Sequence, residues 1–205
     1  DDSILSLIVS IILAFLIVKF LLYPLIGFVL GTNFPIVAVV SESMEHNADC
    51  FNSEGCKTYV MCGKTLEKKG YYPLDNYWEI CGEWYNGLNI TQREFSKFPF
   101  SNGFNKGDVI ILRGEEAKDI NIGDVVVFEG NLDYPIIHRI VKVTQEENNY
   151  YFQTKGDNNP DSSENEKRIS EDRILGKSVV RLPLLGWVKI KFTDTINLIF
   201  GGKNE

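Results

Sequence analysis

Ile122-Gly123-Asp124-Val125-Val126-Val127-Phe128 is a Gly-Asp turn feeding a run of β-branched and aromatic residues. Glycine and aspartate suit a tight turn, and valine and phenylalanine fit a buried pleated surface. The arrangement occurs once more, upstream, as Lys106-Gly107-Asp108-Val109-Ile110-Ile111. Two such copies read as two similar strand starts in one sheet, since a stacked-repeat architecture needs more of them. Working outward, Pro35 to Val40, Val109 to Leu112, Ile136 to Val143, Tyr150 to Thr154 and Val179 to Arg181 are further strand candidates, bounded by Gly, Asp and Asn. The fold class expected is mainly β, in a domain over 34–192.

Ahead of this domain, Ser3 to Leu30 reads SILSLIVSIILAFLIVKFLLYPLIGFVL, with Lys19 as its one charge. A membrane-spanning helix needs about 20 mostly apolar residues, so residues 1–33 are read as a transmembrane anchor. It is read as retained, because no short apolar core leads into a small-residue cleavage site. Pro24 ends or kinks the helix, and Lys19 snorkels to an interface or faces a partner. Few flanking charges exist for the positive-inside rule to count. After the domain, 193–205 is expected to be a short amphipathic segment: Leu184 to Phe200 carries Lys189, Lys191 and Asp194, too many charges for a span.

The whole chain of 205 residues has ordinary globular composition, 44% hydrophobic and 24% charged, which excludes a disordered chain and a multi-span membrane protein. A net charge of −7 argues against nucleic acid as a partner. With two histidines, His46 and His138, a His-rich metal site is excluded, and no metal or other cofactor is expected.

Residues 47–104 differ from their surroundings. They hold Cys50, Cys56, Cys62 and Cys81 and a concentration of aromatics that includes Tyr71, Tyr72, Tyr77, Trp78, Trp84 and Tyr85. No Cys-x2-Cys pair is present, which argues against zinc; the four cysteines read as two disulfides with the pairing open, the alternative being free buried thiols. Thr91 and Glu94 have capping-box spacing, so a short helix should begin there. Asn89-Ile90-Thr91 fits the glycosylation pattern. The charge run from Glu164 to Arg173 reads as a solvated loop or strand edge.

Chemistry concentrates in Val39-Val40-Ser41-Glu42-Ser43-Met44-Glu45-His46. A serine hydroxyl is a weak nucleophile that needs a base in hydrogen-bond reach, oriented in turn by a third group. His46 lies close to Ser43 in sequence, yet Glu42 and Glu45 beside it favour its protonated form, which is poor for a base. His138, inside the strand Ile136-Ile137-His138-Arg139-Ile140-Val141, is the stronger candidate.

The order of anchor, Ser41-Glu42-Ser43-Met44, the strand holding His138, and Thr154-Lys155-Gly156-Asp157-Asn158-Asn159 resembles the type I signal peptidases of the archaeal and endoplasmic-reticulum branch. The likeness covers residues 5–46 and 104–190, and 47–104 is similar to an insertion of some archaeal members. It implies a membrane-bound serine endopeptidase that removes signal peptides from secretory pre-proteins. Ser43 would be the nucleophile and His138 the general base. Ser41, with the Ser43 N–H, would form the oxyanion hole, and Asp157 matches the first conserved acid. The second acid's place holds Ser163, so the carboxylate that orients His138 stays open between Asp157, Asp161 and Glu164, with Asp161 as the substitute acid.

An extended substrate would add beside residues 35–43, with Ile36, Val40 and Met44 as pocket walls. Implied partners are signal peptides, the lipid bilayer and the translocation machinery. The implied location is the cell membrane, single-pass, with the catalytic domain extracytoplasmic. Two other readings are a non-catalytic membrane-anchored binding or structural protein with a degenerate site, and a self-cleaving repressor-type serine peptidase, which uses lysine as its base.

Overall fold

The computed structural model describes residues 2–50, 58–130 and 134–186; Cys56 and the 193–205 segment lie outside them. At the N-terminus, α1 (Asp2–Ile17), a π-helical turn (Val18–Leu22) and α2 (Tyr23–Leu30) form one continuous helix. Pro24 cannot donate to the carbonyl four residues before it and crowds that turn, and the π-helical turn sits where this conflict falls. The apolar stretch Ser3–Leu30 is 28 residues long. At 1.5 Å per residue it reaches about 42 Å, more than a bilayer's hydrocarbon core of about 30 Å. This is the one helix among the described residues long and apolar enough to cross a membrane.

The helix ends at Gly31, whose φ of 66° is left-handed. Gly114 donates to the Leu30 carbonyl at 2.7 Å, and the Thr32 hydroxyl donates to the Leu175 carbonyl at 2.7 Å. These bonds pin the end of the anchor to the sheet.

That sheet has seven strands: β1 (Ile36–Ala38), β6 (Val109–Arg113), β7 (Val125–Phe128), β8 (Ile136–Glu146), β9 (Asn149–Lys155), β10 (Ile169–Ser170) and β11 (Ile174–Leu182). Their spatial order is β1-β6-β11-β7-β8-β9-β10, antiparallel throughout, with β1 at one edge. Register shifts in β11 and in the β8–β9 pair bend the strands locally. The mainly β expectation holds.

The two Gly-Asp turns prove to be one device used twice. Gly107 and Gly123 have φ of 90° and 96°, open to glycine and strained for other residues. The carboxylate of Asp108 accepts from the Asn105 N–H, and that of Asp124 from the Asn121 N–H, each at 2.8 Å. Val39, Met44, Phe104, Ile110, Leu112, Val125, Val127 and Ile137 form one buried cluster of this sheet, and Ile120, Val126, Phe128, Ile140, Phe152 and Ile169 another.

The segment read as Cys- and aromatic-rich builds its own layer. It holds a four-stranded sheet in the order β4-β3-β2-β5, from β2 (Asn47–Cys50), β3 (Tyr59–Met61), β4 (Lys64–Leu66) and β5 (Gly70–Tyr71). Helices α3 (Leu74–Asn86) and α4 (Gln92–Phe95) follow. The capping box predicted at Thr91 is present: its hydroxyl accepts from the Glu94 N–H, and the Glu94 carboxylate accepts from the Thr91 N–H.

Helix α3 was not anticipated. Its buried face, Tyr77, Cys81 and Tyr85, recurs every four residues, but the intervening polar residues obscure the pattern. A disulfide joins Cys62 to Cys81, and Cys50 is also disulfide-bonded.

Candidate active site

Residues 41–44 turn sharply after β1, with the Glu45 N–H donating to the Glu42 carbonyl at 3.1 Å. Met44 is driven into the core, 1% exposed, and this holds Ser43 half-buried above it. The Ser43 hydroxyl donates to His138 Nε2 at 2.9 Å, and the Ser41 hydroxyl lies 3.1 Å from Ser43 Oγ. His138 comes from near the start of β8, opposite Val126 of β7, so its backbone is fixed by the pairing of two strands.

On its other side, His138 Nδ1 donates to the Glu166 carboxylate. Glu166 closes the short 3-10 turn Glu164–Glu166 and is locked from two directions. One oxygen accepts from the Thr154 hydroxyl at 3.1 Å; the other accepts from the Ser163 hydroxyl at 2.7 Å and the Ser163 N–H at 3.2 Å. Burial pushes the Glu166 pKa up, but His138 and the Ser163 hydrogen bonds outweigh it and bring it down to about 2. The carboxylate is therefore charged at neutral pH. A serine, an imidazole and an ionised carboxylate thus stand in one hydrogen-bonded line, the geometry of nucleophilic acyl transfer.

The sequence-predicted site residues fall into two groups. Ser41, Ser43 and His138 come together. Asp157 does not join them: it is fully buried and receives Arg139 Nε at 2.9 Å and Nη2 at 2.7 Å, His46 Nε2 at 3.3 Å and the Tyr85 hydroxyl at 3.1 Å. Burial raises its pKa, and the charge and hydrogen bonds of Arg139 and His46 overcome this, so it stays well below the ordinary carboxylate range. Adjacent residues of a strand face opposite ways. His138 accordingly serves Ser43 while Arg139 draws Asp157 into the layer beneath.

His46 belongs to that lower layer, stacked on the Tyr77 ring at 3.6 Å. Asp161 accepts from the Trp84 indole N–H at 2.9 Å, and Glu164 pairs with Lys167 on the surface. Glu166 was missed by the sequence reading and lies inside the charge run assigned to solvent, which needs correction there: it is 3% exposed. A signal was available, because Ser163-Glu164-Asn165-Glu166 has the same capping-box spacing as Thr91 to Glu94.

Around this line the backbone is tight. The Asn158 N–H donates to the Ser43 carbonyl at 2.8 Å. A Cβ at Gly156 would stand 2.7 Å from His138 Nε2 and 2.8 Å from the Ser43 carbonyl oxygen, so only glycine fits there. The Ser43 N–H makes no hydrogen bond among the described residues and stays open beside the Ser41 hydroxyl. Ile36 and Val40 are exposed, whereas Met44 lies beneath Ser43 and its sulfur accepts from the Asp157 N–H. No group of three His, Cys, Asp or Glu among the described residues is arranged to hold a metal.

No protein-family model matches the chain. It is 35% identical over 105 residues to the signal peptidase complex catalytic subunit sec11 of Dictyostelium discoideum, covering 47% of this chain and 58% of that one. It is 34% identical over 99 residues to the signal peptidase complex catalytic subunit SEC11C of Homo sapiens, covering 44% and 51%. The SEC11 subunit of Scheffersomyces stipitis is 31% identical over 107 residues, covering 48% and 63%. The chain thus spans between half and two thirds of the length of the curated relatives it matches. These relatives are eukaryotic, the endoplasmic-reticulum side of the resemblance read from the motifs.

Proposed function

We propose that the chain is a membrane-bound serine endopeptidase that removes N-terminal signal peptides from secretory pre-proteins. The hydrogen-bonded line Ser43–His138–Glu166 is the observation that carries this reading, and the similarity to signal peptidase catalytic subunits supports it. The assignment divides the chain into an anchor at 1–33, the catalytic domain at 34–192 with its 47–104 insertion, and a tail at 193–205.

In this mechanism His138 Nε2 takes the Ser43 proton as the oxygen attacks the scissile carbonyl. Glu166 holds the Nδ1 proton and offsets the charge that forms on the ring. The Ser43 N–H and the Ser41 hydroxyl receive the oxyanion. His138 then hands its proton to the leaving amine, and water, activated by the same ring, releases the acyl group.

The free edge of β1 takes the extended substrate by main-chain hydrogen bonds, with Ile36 and Val40 as shallow apolar walls and Met44 as the floor beneath the nucleophile. The anchor delivers this edge to the bilayer, where a signal peptide's apolar segment already lies. In this reading the N-terminus is cytoplasmic and the domain lies across the cell membrane, close to the translocation machinery. The Cys62–Cys81 disulfide supports that side, since thiols stay reduced in the cytosol.

The test is cleavage of a purified pre-protein by the full chain in detergent, read by product mass. Cleavage at the signal-peptide junction by the wild type and none by His138→Ala is expected. An inert wild type would favour a non-catalytic binding protein.

A further inference from the structure

Beneath the site lies a cation that the mechanism does not use. Lys155, the last residue of β9, is 1% exposed. Its ammonium donates to two successive carbonyls of the following turn, Gly156 at 2.9 Å and Asp157 at 3.2 Å. That turn is the one whose Gly156 leaves no room for a side chain beside His138 and the Ser43 carbonyl and whose Asn158 N–H holds the same carbonyl. The ammonium also lies over two ring faces of α3, Trp84 at 5.2 Å and Tyr85 at 5.0 Å. The Cys62–Cys81 disulfide ties α3 to the turn that follows β3, and the Cys62 N–H donates to the Asn158 carbonyl at 3.1 Å.

We propose that the aromatic face of α3 seats the Lys155 ammonium so that it clamps the Gly156 and Asp157 carbonyls, making Lys155 a positioning residue for the Ser43–His138 pair and giving the 47–104 insertion its role. The inference rests on the peptidase reading above.

The same two carbonyls also accept from neutral donors, the Asn159 N–H at 2.9 Å and the Tyr77 hydroxyl at 2.8 Å, and the charge-assisted bonds from Lys155 are the stronger ones. The ring faces also attract the charge, which adds to the hold on the ammonium. A turn displaced by a fraction of an ångström would move Gly156 against His138 and loosen the Ser43 carbonyl. Nucleophile–base geometry is sensitive on that scale.

The charge on Lys155 is itself responsive to pH. Burial lowers its pKa, Asp157 raises it, Arg139 lowers it and Asp161 and Glu166 raise it, leaving it at about 8. Tyr77 and Tyr85 nearby stay protonated well above the ordinary tyrosine value, chiefly through burial. The clamp therefore weakens as pH rises through about 8.

The experiment measures kcat and KM of the full chain in detergent against a purified pre-protein from pH 6 to pH 10. Wild-type kcat is expected to fall on an alkaline limb near pH 8. Lys155→Met should lower kcat roughly 10–100-fold, with KM little changed and the limb gone. Lys155→Arg, charged throughout, should recover much of the rate and carry the limb to higher pH.

Trp84→Phe and Trp84→Leu guard against a Lys155→Met chain that does not fold. Phe keeps the ring face and should stay near wild type, whereas Leu should lower kcat and move the limb. An active wild type with Lys155→Met and Trp84→Leu unchanged in kcat and limb overturns this inference alone. An inactive wild type overturns the peptidase reading and this inference with it.

Discussion

Glu166→Gln isolates the role of the carboxylate behind His138. Glutamine keeps the side chain's length and leaves an oxygen to accept the Nδ1 proton, so the imidazole keeps its tautomer. What disappears is a buried negative charge, at the step where His138 becomes an imidazolium. Both oxygens of Glu166 are already held by Thr154 and Ser163 and the side chain is 4% exposed, so solvent has little access to compensate. The corresponding carboxylate-to-amide change in other serine peptidases costs about 10⁴ in turnover with a switch of tautomer included, which sets the upper bound for a variant that keeps the tautomer. The loss expected here is roughly 10³–10⁴ in kcat, about 4–5.5 kcal/mol of barrier.

KM should stay within roughly a factor of three, because Glu166 does not face the substrate edge. A quenched time course of pre-protein cleavage gives both constants. Ser163→Ala, which removes one hydroxyl bond to the same carboxylate, should lower kcat by about tenfold. Glu166→Gln within roughly threefold of wild type would refute the three-residue relay.

Four further outcomes follow from the same geometry. Gly156→Ala should reduce kcat by at least about 100-fold and lower the melting temperature by several degrees, since its methyl would displace His138 and the Ser43 carbonyl; unchanged activity would count against the tight contact. Asp157→Asn should destabilise the fold by about 3–5 kcal/mol in urea titration, because Arg139 would be left buried and unpaired. Removing the Cys62–Cys81 link, which closes a separation of 19 residues, should cost about 2–4 kcal/mol in the same measurement. Acid sensitivity gives the last: Glu166 titrates at about 2 in the fold against 4.5 unfolded, so its stabilisation is present above pH 4.5 and is lost as pH falls toward 2. Melting temperatures of Glu166→Gln should therefore fall less steeply than wild type across that window.

The parts of this site legible in the sequence are those fixed by short-range order. Ser43 stands in the turn that follows β1 and precedes a core methionine, and His138 stands within an apolar β run, so each local segment positions its own residue. The Gly-Asp turns were readable for the same reason, because turn chemistry is local. Glu166 was not, since its role depends on a tertiary approach of the 163–166 turn to β8. Its acidic neighbours made the whole run look solvated.

Asp157 is the reverse case. Its turn packs against Ser43, but the sequence could not show that Arg139, next to His138 on the same strand, would claim both its oxygens. Helix α3 escaped because its buried residues are tyrosines and a cysteine among polar ones, and the disulfide that orients it is a long-range choice among three pairings.

The most direct test of the central claim is the rate at which the full chain in detergent cleaves a pre-protein after Ser43→Ala, with product mass as the readout. The account predicts that the wild type releases the mature protein at the signal-peptide junction and that Ser43→Ala releases none. Cleavage at that junction by Ser43→Ala at the wild-type rate would contradict it.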